Sequence, residues 1–314
     1  ALKYFLMGAF STGFLLFGIA LLYGATGSFD LSEIKNYVVN NPHAISPLFY
    51  GGILLLIVGL TFKVGAVPFH FWTPDVYDGA PILITSYMST VVKVASFAGL
   101  LRLFSYSLLP LQDFWTPVFL VIAVLTLFVG NISALMQSSF KRMLAYSSVS
   151  HAGYMLFAIV AVGATSANSI FAYGLAYSLA TIVAFTGLIL VKKTTGSEHF
   201  EGFNGLGKRN PLLAFAITIA MLSLAGIPLT AGFIGKFMMF SSVMENYHIV
   251  LLVLAVINAG IAVYYYLKVV VAMYFRDSDE SCVNVQWNYS LVLFLAVMLT
   301  ILIGVYPDCL LKLI

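Results

Sequence analysis

Leu224-Ala225-Gly226-Ile227-Pro228-Leu229-Thr230-Ala231-Gly232-Phe233-Ile234-Gly235-Lys236-Phe237 interrupts an apolar run that extends from 211 to 244. Pro228 removes a backbone donor and Gly226 loosens the turn before it, so the run predicts a membrane helix broken within its length. Lys236 lies just past the break. A second stretch has the same character: Gly59-Leu60-Thr61-Phe62-Lys63-Val64-Gly65-Ala66-Val67-Pro68-Phe69-His70 pairs Gly65 and Pro68 with Lys63. Two Gly/Pro breaks in separate halves, each beside a lysine, read as the discontinuous helices of an inverted-repeat transport protein or as proline kinks that only tune packing.

Outward from these breaks the chain is apolar almost throughout. Of its 314 residues 61% are hydrophobic and 9% charged, against roughly 25% charged in soluble domains, which predicts an all-helical polytopic membrane bundle. A crossing needs about 20 apolar residues. On that measure nine spans are expected: 3–24, 47–64 continuing brokenly to 74, 82–105, 114–137, 142–163, 168–191, 211–244 with its break, 249–275 and 287–307. An odd number puts the termini on opposite sides. Lys141, Arg142, Lys192, Lys193, Lys208, Arg209 and Arg276 gather at one side, whereas Lys35 and Lys312 fall on the other, with Arg102 nearer the latter. The positive-inside rule makes the first side cytoplasmic, so the N-terminus is expected in the cytoplasm and the C-terminus outside.

Lys63, Lys93, Lys236 and Lys268 lie in spans that contain no Asp or Glu. A charge in hydrocarbon costs about 3 kcal/mol or more, and burial disfavours the charged form of lysine, so such groups hold and release protons at accessible pH. Lys93 lies roughly 12 residues into its helix, near mid-membrane, with Ser89 and Ser96 on its face. It reads as a proton carrier or as a hydrogen-bonding clamp. His151, in Tyr146-Ser147-Ser148-Val149-Ser150-His151-Ala152-Gly153-Tyr154, stands about 15 Å along its helix from Lys141 and reads as a relay or as a satisfied core histidine. Lys268 follows Tyr264-Tyr265-Tyr266 and lies within two turns of Arg276, where it either takes part in transport or snorkels to the interface. Lys3 sits at the start of the first helix. His70, Asp75 and Asp78 flank the first break, the two aspartates reading as solvated loop residues beside the interfacial Trp72 and Tyr77.

Other chemistries find no support. Cys282 and Cys309 stand 27 residues apart without CxxC spacing or a neighbouring His, which argues against zinc or iron–sulfur ligation. No dinucleotide fingerprint, Walker A loop or nucleophile triad is present, and the aromatics read as lipid-facing and interhelical packing rather than nucleic-acid stacking. The opening residues carry no secretory leader.

The runs Lys63 to Pro81 (KVGAVPFHFWTPDVYDGAP), Gln137 to Tyr154 (QSSFKRMLAYSSVSHAGY) and Leu224 to Phe237 (LAGIPLTAGFIGKF) closely resemble the antiporter-like membrane subunits of respiratory complex I. The opening Ala1 to Gly27 and Tyr264 to Lys268 resemble the N branch of that family in bacterial NADH–quinone oxidoreductase, and the resemblance covers essentially the whole chain. It implies a proton-translocating subunit driven by redox chemistry in other subunits. Lys63 would be the central lysine of the first half-channel, Lys93 the next station, and Lys236 the lysine of the second broken helix, where the M branch has a glutamate. Lys3, Lys141 and His151 match further polar positions.

The resemblance further implies no cofactor in this chain, with FMN, iron–sulfur clusters and quinone in partner subunits. The partners would be other complex I membrane subunits and lipid, and the site a bacterial inner membrane. Residues 1–105 would close a first inverted repeat, 106–275 form the second, and 276–314 add a C-terminal helix. The family glutamate that pairs with the first central lysine has no counterpart here, which implies part of a longer subunit. Two rivals remain: a subunit of a multisubunit sodium/proton antiporter or membrane-bound hydrogenase, and a scaffold whose lysines only pack helices.

Overall fold

The computed structural model describes residues 2–42, 44–161, 166–245, 249–278 and 281–312. Twelve helices carry the description: α1 Leu2–Thr26, α2 Leu31–Asn40, α3 Pro47–Val64, α4 Trp72–Gly79, α5 Ile82–Ser107, α6 Gln112–Leu135, α7 Phe140–Val160, α8 Ser166–Thr195, α9 Pro211–Ala225, α10 Ala231–Glu245, α11 Ile249–Phe275 and α12 Trp287–Val305. Among the described residues eight are long and apolar enough to cross a membrane; α9 and α10 are shorter apolar helices on either side of the second break. Among the described residues no strand forms, only an isolated bridge between Ser139 and His199.

Helix starts follow local chemistry. Ser46 and Asn210 cap α3 and α9 through side-chain oxygens, each with proline at the first helical position, where the missing N–H costs nothing. Ser139 caps α7 by accepting from the Arg142 N–H.

Burial sorts the helices by polarity in the sense a membrane demands. α7 is the least apolar of the eight spans, yet it is buried along nearly its whole length, where Ser147, Ser148 and His151 find partners inside the bundle. α1 buries only Ser11, Gly18 and Leu22 and turns Phe5, Leu6, Phe10 and Phe17 outward. α6 approaches α7 closely through two glycines. A Cβ at Gly130 would stand 2.8 Å from the Ser150 Cα, and one at Gly153 2.9 Å from the Leu127 N. Small residues of this kind let membrane helices touch backbone to backbone. Gly130→Val is therefore expected to lower the thermal unfolding temperature in detergent, since overpacking here costs about 1–3 kcal/mol; an unchanged transition would show the contact to be loose.

Many of the charged residues gather at one end of the bundle, whereas Lys35 of α2 lies away from it, over the Tyr106 ring. Lys3 bonds Asp75 from α1 to α4, and the Arg142 Nη2 pairs with the same carboxylate at 3.1 Å. Lys208 pairs with Asp277 at 2.7 Å, and Arg209 ties three backbone carbonyls of Gly202, Asn204 and Ser281 together. The two aspartates expected as solvated loop residues are solvent-accessible but lie in α4 and form ion pairs: Asp75 with Lys3 and Arg142, Asp78 with the Arg142 Nη1 at 3.6 Å. The hydrogen bond from Lys3 holds the Asp75 carboxyl below the ordinary carboxylate range, against a partial desolvation.

Candidate functional site

Both expected breaks are present and share one geometry. Gly65 ends α3 at φ 74° and Gly226 ends α9 at φ 85°, in the left-handed region that favours glycine. At the first, Gly65 N–H donates to the Phe62 carbonyl and Ala66 N–H to that of Thr61; at the second, Gly226 N–H donates to Ser223 and Ile227 N–H to Leu222. These are matched Schellman ends. The breaks differ in depth, because α3 already spans 18 residues before its glycine, whereas α9 and α10 have 15 each.

At each break a side chain from beyond it returns to the carbonyls of the ended helix. In the first, the Trp72 indole N–H donates to the Phe62 carbonyl at 3.0 Å. In the second, the Lys236 ammonium donates to Leu224 at 3.0 Å and Ala225 at 2.8 Å. The negative end of the α9 dipole thus holds a cation at a buried half-helix terminus. Lys236 is only 4% exposed and lies 5.1 Å over the Tyr154 ring.

Lys93 is equally deep, at 2% exposure. Its Nζ reaches across to α7 and donates to both the carbonyl and the hydroxyl of Ser148 at 2.5 Å. The partner is therefore Ser148; of the two serines on its own helix face, Ser96 bonds the Val92 carbonyl and Ser89 the Ser86 carbonyl. Lys93 follows a π-helical turn over Met88–Val92, a local widening of α5 that the residue pattern did not signal.

Between these lysines stands His151. Its Nδ1 lies 2.6 Å from the Tyr173 hydroxyl and its Nε2 2.9 Å from that of Tyr266, and Tyr266 also bonds Ser147. Tyr154 and Tyr173 rings lie 6.2 Å apart, which carries the cluster from His151 to the face of Lys236. A neutral imidazole presents one donor and one acceptor, so protonation at one nitrogen and release at the other moves a proton between Tyr266 and Tyr173. Beside the cluster Asn131 donates to the Asn258 Oδ1 at 3.1 Å and accepts from the Tyr265 hydroxyl at 2.9 Å, joining α6 to α11.

Tyr173, Tyr266, Asn131 and Asn258 were missed in the residue reading. A polar side chain in the middle of an apolar span was the available signal, and the Tyr264-Tyr265-Tyr266 run carried it.

The remaining expected residues lie elsewhere. Lys141 is buried at 3% exposure at the start of α7; its Nζ donates to the Asp78 and Ala80 carbonyls, each at 2.7 Å, and lies 3.7 Å from Glu198. Its acidic neighbour Glu198 comes from the loop after α8. Lys268 is half-buried with its Nζ 4.4 Å over the Phe200 ring and 3.4 Å from the Gln137 carbonyl, at the charged end and apart from His151. Lys3 is exposed in its pair with Asp75.

Lys63 departs from the expectation of burial. It is exposed, between the buried Phe62 and Val64, and makes no hydrogen bond or ion pair with any described residue. α1 packs against α3 through Gly18 and Gly52, and no described element covers the flank on which Lys63 projects. It does not repeat the role of Lys236: at the first break the carbonyl-capping position belongs to Trp72.

Comparison with known proteins places this architecture. The family described as NADH:quinone oxidoreductase/Mrp antiporter, TM, matches residues 1–262. The NADH-quinone oxidoreductase subunit N of Cytophaga hutchinsonii is 43% identical over 314 residues, covering 99% of this chain and 67% of its own length. That of Mycobacterium bovis is 41% identical, covering 98% of this chain and 59% of its own. A chain of respiratory complex I from Thermus thermophilus with bound aureothin superimposes with a TM-score of 0.85 at 37% identity, covering 99% of this chain and 67% of that one. The chain spans about two thirds of the length of the curated relatives it matches, and less of some. On sequence and fold together, this multi-pass membrane chain belongs to the NADH:quinone oxidoreductase/Mrp antiporter membrane family.

Proposed function

We propose that the chain is the proton-conducting part of a complex I membrane subunit of the N type, with electron transfer from NADH to quinone carried by partner subunits. The observation that carries this is the buried polar line from Lys93 through Ser148 and Ser147 to Tyr266, His151, Tyr173, Tyr154 and Lys236. Two buried lysines joined by hydroxyls and one imidazole form a conduit for protons, water bridging the steps where side chains do not touch. Packing alone favours small or apolar groups there, which weighs against the scaffold reading. Identity of 43% to an N subunit supports redox-driven transport over sodium exchange, since the Mrp likeness stands at 19% identity and bears on fold alone.

In this reading the charged end of the bundle faces the bacterial cytoplasm, residues 1–105 belong to one inverted repeat and 106–275 to the next. FMN, iron–sulfur clusters and quinone reside in the partner subunits, and the chain contributes to a translocase without a redox centre of its own. Lys63 takes its place in the line only when its exposed flank is covered.

Lys93 suits the task in either protonation state. The ammonium donates to both Ser148 oxygens; the amine still donates to the carbonyl and accepts from the hydroxyl. Lys93→Ala in the full-length subunit of the assembled complex is expected to cut NADH-driven proton uptake by roughly 100-fold, the usual scale for a positioned proton carrier. Pumping at the wild-type rate, in a complex shown intact by native gel, would remove Lys93 from the conduit.

A further inference from the structure

At the charged end, the loop after α8 folds back on the start of α7. The Phe140 N–H donates to the Glu198 carbonyl at 2.9 Å, and Ser139 bridges His199. Beneath this fold-back lies an open recess of about 790 Å³ lined by Asp78, Lys141, Lys192, Thr195, Glu198 and His199. Its groups are not alike in access. Lys192 is exposed, while the Lys141 Nζ is sealed against the Asp78 and Ala80 carbonyls; the Glu198 Oε1 stands between them, 2.5 Å from Lys192 and 3.7 Å from Lys141. Inward of Asp78 comes Tyr77, which is 1% exposed. One carboxylate thus borders the open recess and lies 3.7 Å from the buried Lys141.

We propose that Glu198 is the group that passes protons from this recess to Lys141, exchanging partners between Lys192 and Lys141 as it does so. The inference rests on the proton-conducting reading above. The carboxylate takes a proton from water in the recess, and its charge-assisted hold on Lys192 lapses. The resulting acid gives the proton to the Lys141 amine when that amine is neutral, which restores a carboxylate beside an ammonium. The charged and titratable groups facing Glu198 are Lys141 from α7, Lys192 from α8, Asp78 from α4 and the adjacent His199; Arg142 is held away by Asp75 and Asp78. Removing the carboxylate leaves capture to dilute hydronium alone.

The test uses the full-length subunit in its assembled complex, in sealed vesicles, with Lys93→Ala as the reference for loss of conduction. Glu198→Gln is expected to lower proton uptake roughly tenfold or more and to make the remaining rate fall steadily as cytoplasmic-side pH rises, with Glu198→Asp recovering part of it. A merely structural loss would scale the rate equally at every pH and overturn the proposal. A second variant covers misfolding of the first: Ser197→Cys, in a Cys282→Ser, Cys309→Ser background, reacted from that side with a bulky cationic thiol reagent. Labelling is expected to slow uptake severalfold by filling the recess. If labelling and Glu198→Gln both leave uptake unchanged while Lys93→Ala abolishes it, the role of Glu198 is wrong and the conduit stands. If Lys93→Ala also conducts normally, the functional reading itself falls.

Discussion

Replacing Lys236 with arginine is expected to abolish proton transfer as completely as replacing it with methionine, by roughly 100-fold, while the two variants differ in stability. The Lys236 ammonium satisfies the Leu224 and Ala225 carbonyls left at the end of α9. Methionine fills a similar volume but offers no donor, and two buried carbonyls without partners cost about 1–3 kcal/mol each, so its unfolding temperature falls. Arginine keeps the charge at the negative end of the α9 dipole and keeps donors for the carbonyls, yet its guanidinium does not release a proton in a protein. The fit is close, since a Cβ at Gly226 would stand 2.7 Å from the Lys236 Cδ, and the larger head group strains it somewhat. The comparison separates charge from proton carriage. Near-normal transfer in the arginine variant, measured by pH-sensitive dye in sealed vesicles, would mean that Lys236 acts as a fixed charge. Lysine suits the carrier role because a neutral amine retains two hydrogens, so both carbonyls stay bonded before and after the proton leaves.

The breaks, the spans and the convergence of basic residues were legible in the sequence because each has a local cause. Gly226 and Pro228 stop a helix whatever surrounds them, and a 20-residue apolar run needs no partner to declare itself. Partnerships across helices were not legible. Spacing along one helix puts Ser89 and Ser96 on the face of Lys93, but the side chain crosses to Ser148 on α7, a contact that spacing within one helix does not display. Glu198 escaped notice because it lies 57 residues from Lys141 along the chain, in a loop that reads as solvated until the fold-back onto Ser139 is seen. Lys63 is exposed in this chain where its sequence surroundings imply burial. Its apolar neighbours at 62 and 64 imply burial, but a lipid-facing flank and a buried one carry the same hydrophobic pattern in a membrane helix, so depth in the bundle could not be read there.

His151 offers the sharpest separation of a relay from a packing residue. His151→Leu is expected to lower both stability and proton transfer. The Tyr173 hydroxyl loses the partner 2.6 Å away, while Tyr266 retains Ser147, so the stability loss is close to that of one unsatisfied buried hydroxyl, about 1–3 kcal/mol. His151→Gln can donate to one tyrosine and accept from the other and is expected to restore most of that stability. It cannot restore transfer, because an amide does not take a proton at one atom and give it up at another near neutral pH. A fall of roughly 100-fold in uptake with little change in unfolding temperature is therefore the expected signature of the glutamine variant. If glutamine rescued both quantities together, the imidazole would be a hydrogen-bonding pivot for Tyr173 and Tyr266, and protons would have to pass from Lys93 to Lys236 through water beside it. Because the two nitrogens face tyrosines on different helices, α8 and α11, the same variant also reports on the helix pair: a shift of either helix breaks one of the two bonds and leaves the other intact.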